Sequence, residues 1–379
     1  MRTERILYIH SGRCTVYDWS DGGFVEGPTF YECDAGGAEL RAYLQLNADR
    51  LTAILADIVE EEHYRDTVPK LNFFDQRALL KRRISKSFSR TRYRNGAVLK
   101  AGTGDAATVS IRLSGITHVD AIRTWTSRVE PDCCPIAGIY TPAVLSDRIL
   151  KAIGQSDMST TMIVTTHSDG RIRHTYFKGG CLVGSRRFRG QMDKRKDKSE
   201  FVVQQVQSSL RHFNPSATPG LGSTTDVVLI GGDEDAALNE DVLATAVGCR
   251  IRYANIAAVA KSIGMKRAPG AHQGEMLFLS MLRNRPAHGD YAPREERQYG
   301  MLKIAKRRCT VAAWALSYLL VAAAGLNMVD TLKLQADASL ANREAADLPI
   351  GQSAGNEQSR AVDPLAMRAA VTSYRELLR

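Results

Sequence analysis

At 379 residues the chain is too long for one small core and calls for two or more subdomains. Its formal charge of +10 suits acidic partners or anionic lipid. No zinc spacing, recognition-helix signature or basic-aromatic repeat supports nucleic acid as a partner. The seven cysteines, at 14, 33, 133, 134, 181, 249 and 309, suit reduced thiols, and the vicinal Cys133-Cys134 pair has no CxxC partner, so no metal site is expected.

The opening Met-Arg-Thr-Glu-Arg leads straight into a strand-like run, which predicts no cleavable signal peptide. Residues 5–30 read as three short strands, Arg5–Ile9, Cys14–Trp19 and Phe24–Phe30, joined by turns at 10–13 and 20–23. A short helix is expected over Ala38–Leu46. The apolar run Leu51–Val59 is short enough to favour a buried strand over a helix. Asp75–Phe88 reads as a strongly basic helix with Leu79, Leu80, Ile84 and Phe88 on one face. Strands over Ala97–Ala101 and Thr108–Leu113 follow, then a helix around His118–Arg128, a strand at Ile136–Tyr140 and a helix over Pro142–Ile153 with proline in its first turn.

From Thr160 the opening pattern returns. Strands are expected at Thr161–Thr166, Arg171–Phe177 and Cys181–Phe188, and a charged linker at Arg189–Lys198. Then come a helix over Ser199–Phe213 and a Pro/Gly/Ser loop over Asn214–Ser223. Asp226–Ile230 is the next strand and ends in Gly231-Gly232. Helices are expected at Glu234–Val247, Ile256–Ser262 and Gln273–Arg283, a strand at Arg250–Tyr253, and a basic connector over Arg294–Arg308.

Cys309–Val329 holds no charged residue, and at ~1.5 Å per residue it would cross a bilayer core of roughly 30 Å once. Lys303, Lys306, Arg307 and Arg308 precede it and Asp330 follows, which predicts a cytoplasmic N-terminal body and an exported tail. A fully buried core helix is the alternative. The tail from Asp330 carries six basic and seven acidic residues, so the positive charge of the chain lies before it. Within the tail, Ala336–Ala346 extends the helix, Leu348–Arg360 reads as loose, and Pro364–Leu378 as a second helical piece.

The order strand–turn–strand–turn–strand–helix–strand thus occurs twice. Two such halves facing across a cleft describe a duplicated, ribonuclease-H-like α/β architecture. The expected boundaries are 1–154 and 155–293 for the two lobes, 294–308 for the connector, 309–329 for the span and 330–379 for the tail. Several segments carry a resemblance to known proteins: Leu55-Ala-Asp57-Ile-Val-Glu60-Glu61-Glu62, Leu79–Ile84 with Phe88 and Thr91–Arg94, Pro135–Tyr140, Gly180 with Ser185-Arg186, and Val228–Gly232. In this order, ahead of a basic approach to one span, they resemble the actin-like assembly proteins of type IV pilus and type II secretion systems, the PilM, GspL and MshI group. The resemblance covers about residues 5–330. It implies a bacterial inner-membrane location. It also implies partners among a cytoplasmic secretion ATPase, PilN/PilO- or GspM-like membrane proteins and membrane lipids. The tail departs from the family, whose external part usually ends in a small ferredoxin-like domain.

An actin-type ATPase needs two hairpin loops that cradle phosphate, each usually led by an Asp, and a Gly-Gly turn against the adenosine. Here His10 stands where the first Asp would be, and the second loop, His167-Ser168-Asp169-Gly170, lacks the Asp-x-Gly order. Ser11, Gly12 and Arg13, with Gly231 and Gly232, are the candidate remnant of a nucleotide site. Asp57 is a candidate surviving acid, with an edge-strand or capping role as the alternative. Asp169 is expected to point outward from its turn.

No catalytic residue, metal or cofactor is assigned; the pattern allows weak ATP binding without turnover. The basic clusters at 81–94 and 186–198 read either as solvated faces or as docking surfaces for acidic partners or lipid headgroups. The small-residue patch Ala322–Gly325 allows a homodimer. Alternatives from other classes are an active tethered ATPase or kinase of this fold and a membrane-anchored regulator unrelated to pili.

Overall fold

The computed structural model describes residues 2–347 apart from 49, 59, 100–106, 130–133, 155–159, 190–197, 214–224, 234–248, 285 and 287. The helix expected at Glu234–Val247, the loop at 214–223 and the tail beyond Leu348 lie outside the described residues. The chain divides into two compact units, Met1–Arg308 and Cys309–Arg379.

In the first unit, β1 (Arg5–His10), β2 (Arg13–Ser20), β3 (Gly23–Tyr31), α1 (Asp34–Leu46) and β4 (Thr52–Asp57) follow one another. With β8 (Ile136–Tyr140) the strands form one sheet in the order β3-β2-β1-β4-β8. The outer hairpins are antiparallel, and β1 lies parallel to β4 with Ile6 opposite Ala53 and His10 opposite Asp57. The pattern then repeats. Strands β9 (Thr160–Thr166), β10 (Arg171–Lys178), β11 (Cys181–Arg189), β12 (Thr225–Gly231) and β13 (Arg250–Asn255) form a second sheet in the order β11-β10-β9-β12-β13. Again β9 runs parallel to β12, antiparallel to β10. Two sheets of identical order and polarity make this the duplicated ribonuclease-H-like fold of the actin-like ATPases.

The sequence makes these strands for local reasons. All six residues of β1 and all of β4 are buried, as expected of parallel strands covered on both faces. The β1–β2 turn is Ser11-Gly12 and the β2–β3 turn Asp21-Gly22, each with φ positive at both residues, the two-residue turn whose twist matches a hairpin. Helix α4 (Pro142–Ala152) starts with its proline at the first position and Thr141 capping the amide of Val144.

Helices α4, α6 (Ile256–Ser262) and α7 (Gly274–Leu282) join the two sheets into one core, in which Ile9, Leu55 and Ile149 share a cluster with Ile163, Val228, Leu277 and Phe278. The described helices also include α2 (Phe73–Ser87), α3 (Asp120–Thr126) and α5 (Lys198–Phe213).

Between β4 and β8 the chain inserts a three-stranded antiparallel sheet, β5 (Glu61–Pro69), β7 (Thr108–Ile116) and β6 (Arg94–Val98), with α2 laid on it. Strand β5 has no counterpart in the sequence reading. Its sequence, EEHYRDTVP, buries only Val68, so no apolar alternation announces it.

The stretch expected as a basic connector is the start of a 54-residue helix, α8 (Arg294–Asp347). Its first turns belong to the compact body. Gly300 comes so close to Ile136 that a Cβ there would lie 2.0 Å from the carbonyl oxygen, and Ile304 is buried against Leu51 and Ala137. Arg297 donates to Asp290 at 2.9 Å, and Glu296 accepts from the Tyr93 hydroxyl at 2.8 Å and pairs with Arg92. The most apolar window of α8 is long enough to cross a membrane, and none of it is buried in the structure.

Candidate functional site

Where β1 meets β2 and β9 meets β10, the two hairpins that would hold phosphates face each other across the lobes. The structure brings Ser11 to the second hairpin: its hydroxyl accepts from Arg171 at 2.6 Å. Arg171 also reaches Nδ1 of His10 and pairs with Asp169. The His10 imidazole lies 3.7 Å from the Asp169 carboxylate and stacks on Tyr8, with ring centroids 4.6 Å apart. Asp169 therefore turns inward, against expectation, because Arg171 on its own hairpin and His10 across the cleft both draw its carboxylate. Its own Oδ1 also caps the Arg171 amide at 3.2 Å, which fixes it in the turn.

Behind this layer lies a buried cluster on Asp57 at the end of β4. Asp57 is fully buried; one carboxylate oxygen pairs with Arg173 and the other accepts from the Tyr8 hydroxyl at 2.9 Å. Arg187 lies 3.6 Å from that second oxygen and also donates to the Asp57 carbonyl. Arg173 is positioned further by the Ile58 carbonyl at 3.2 Å and Ser185 at 2.7 Å. Arg173 and Arg187 come from β10 and β11 of the second lobe, Asp57 and Tyr8 from the first. The cluster is a cross-lobe bolt. Burial alone would raise the Asp57 pKa, but Arg173 above all, with Arg187, holds the carboxyl well below the usual range.

The imidazoles in this region are neutral. Burial and the neighbouring Arg171 bring His10 down to about 4, and burial, with Arg173 opposing the help of Asp57, brings His167 down to about 4. His167 Nδ1 lies 3.2 Å from the Tyr8 hydroxyl, which donates to Asp57, so the proton of His167 sits on Nδ1. Among the described residues its Nε2 has no hydrogen-bond partner, and it is the bare ring nitrogen.

One donor that a phosphate would need is already used. The backbone N–H of Ser168 in the second loop donates to the carboxylate of Glu275 at 3.1 Å. Burial raises the Glu275 pKa, with its hydrogen bond to Ser168 working the other way. In the first loop, Ser11 is held by Arg171, and a Cβ built on Gly12 would lie 3.4 Å from a carboxylate oxygen of Glu32. Arg13 lies over the Tyr31 ring, 5.4 Å from its centroid. Gly231 accepts from the Tyr253 hydroxyl at 2.6 Å, and a Cβ on Gly232 would meet that of Ala271 at 2.3 Å. The Gly-Gly turn is thus explained by close packing of the chain on itself.

Sequence reasoning named Ser11, Gly12, Arg13, Gly231 and Gly232 but missed Arg171, Arg173, Arg187 and Glu275. The legible signal was Arg171-x-Arg173 in a strand otherwise buried throughout, since an arginine in such a strand requires a carboxylate partner. Among the described residues no group of three His, Cys, Asp or Glu is arranged to hold a metal ion.

No protein-family model matches the chain, and no curated protein matches it. Among solved structures it is similar to the PilM-PilN type IV pilus biogenesis complex, with 10% identity over 79% of this chain and 98% of that one, TM-score 0.41. It is also similar to the cytoplasmic domain of EpsL, an inner membrane component of the type II secretion system of Vibrio cholerae, with 9% identity over 75% and 97% and a TM-score of 0.36. A Bacteroides thetaiotaomicron protein with an actin-like ATPase fold and unknown function shows 13% identity over 66% and 91%, TM-score 0.32. The likeness is one of fold.

Proposed function

We propose that the chain is a bitopic inner-membrane scaffold of a type IV pilus or type II secretion-like machine. It couples a cytoplasmic secretion ATPase to periplasmic alignment proteins and does not hydrolyse ATP. The observation that carries the reading is the bolted cleft. Phosphoryl transfer needs carboxylates free to place Mg²⁺ and water against the γ-phosphate. Asp57 has both oxygens committed to Arg173, Arg187 and Tyr8, and Asp169 is paired with Arg171. His10 is neutral and offers no anionic oxygens to a hard cation. An actin-like body whose Asp57 and Asp169 are both paired, followed by a helix apolar enough to cross a membrane, fits a part that transmits contacts. The ordered motifs that resemble those of the pilus and secretion proteins support the choice of machine.

The test has two arms. The full chain, purified in detergent, is expected to release no phosphate from Mg-ATP above background, and His10→Ala is expected to restore assembly to a deletion strain. Co-purification should return a secretion ATPase or a PilN/PilO- or GspM-like membrane protein. Turnover that Asp169→Ala abolishes would establish an enzyme instead.

A further inference from the structure

Helix α2 covers the inserted sheet with Leu79, Leu80 and Ile84, which pack on Val68, Val109, Ile111 and Leu113, yet it buries none of its own residues fully. Its first turn carries Phe73 and Phe74, 72% and 80% exposed, with their rings edge-on at 5.5 Å. Two adjacent aromatic rings in water at a helix start serve no packing in this body. At ~100° per residue, Phe74, Lys81, Arg82 and Lys86 share the face turned away from the sheet, while Phe73 and Arg77 lie on the stripe of Leu80 and Ile84 but are exposed. Among the described residues Arg77, Lys81, Arg82 and Lys86 form no ion pair, whereas Arg83 reaches Asp66 at 3.5 Å.

We propose that α2 docks on an anionic bilayer surface, with Phe73 and Phe74 entering the headgroup boundary and the free cations pairing with lipid phosphates. Aromatic residues at the end of a Lys/Arg-rich amphipathic helix are the composition of an interfacial helix. Three or four cations near an anionic leaflet hold a soluble protein only weakly, but suffice for one tethered nearby. The apolar window of α8 supplies that tether. The inference rests on the membrane span and is independent of the pilus assignment.

The experiment reconstitutes the full chain into nanodiscs of phosphatidylcholine, alone or mixed with phosphatidylglycerol, and follows hydrogen exchange by mass spectrometry. Exchange over residues 70–90 is expected to slow about tenfold in the anionic discs only. Both Lys81→Glu/Arg82→Glu and Phe73→Ser/Phe74→Ser should remove that protection while leaving β9 as slow as before. Equal exchange in the two lipids, or protection gained only on adding an acidic protein, overturns the proposal. A chain that does not enter discs at all fails the span instead, so the two failures are separate.

Discussion

Asp57 shows how one residue closes a site that the fold would otherwise leave open. Its carboxylate is held by two arginines of the opposite lobe and by Tyr8, without exposure to solvent. A buried pair adds little net stability over apolar packing, but removing one partner strands the other charge. Asp57→Ala should therefore cost about 3–5 kcal/mol in denaturant unfolding, because Arg173 and Arg187 lose their counterion. A loss under ~1 kcal/mol would mean that the bolt is ornamental. The histidines make a separate prediction in pH. His167 titrates at about 4 and His174 at about 3, both depressed first by burial, against an unfolded value near 6.5. As pH falls, the unfolded chain binds protons before the folded one, so stability is full above ~6.5 and declines towards pH 4. Each of these two imidazoles accounts for roughly 3 kcal/mol of that decline, and His10 adds in the same direction. Thermal melts between pH 7 and 4 should drop steeply; His174→Phe should flatten the slope, since it removes one protonation from the unfolded side.

The elements that the sequence announced are those in which local chemistry and burial agree. Hairpins marked by Ser11-Gly12 and Asp21-Gly22, the proline-started α4 and the twofold strand pattern all read directly from residue type and spacing. Strand β5 was illegible because its sheet faces water and only Val68 is buried. The cleft was half legible. Missing acids at His10 argued for a degenerate site, but which side chains fill it depends on pairing between β10 and β4, far apart in sequence. Helix α8 was misread at its start because Arg294–Arg308 has the composition of a solvated linker, whereas one face of it is docked. Gly300 is the residue that permits docking. Gly300→Val should clash with the Ile136 carbonyl and lift the first turns from the sheet, costing about 1–3 kcal/mol. Trypsin should then cut faster at Lys303 and Lys306 than in the unsubstituted protein; unchanged cleavage would show that the helix start is not held by this contact.

For the whole molecule the decisive question is which side of a membrane each end occupies. The segment Cys309–Val329 leaves Val311, Trp314, Leu319, Leu320 and Leu326 all more than half exposed, a run of apolar surface that water does not tolerate. A core helix would hide this window, and none of it is hidden. A bilayer would supply the missing apolar contact, since the backbone is already satisfied within the helix. Orientation then follows from charge. Lys303, Lys306, Arg307 and Arg308 stand within the last turns before the span, while only Asp330 and Lys333 lie close after it. Cations flanking a span stay on the cytoplasmic side, so Met1–Arg308 is expected inside and Asp330–Arg379 outside. Alkaline phosphatase fused after Arg379 is expected to be active and a green fluorescent protein in the same place dark. Replacing Lys306, Arg307 and Arg308 together by glutamate should weaken the bias and yield a mixed population. A bright fluorescent fusion with inactive phosphatase would put the tail in the cytoplasm. It would then remove the route proposed for passing contacts from the actin-like body across the membrane.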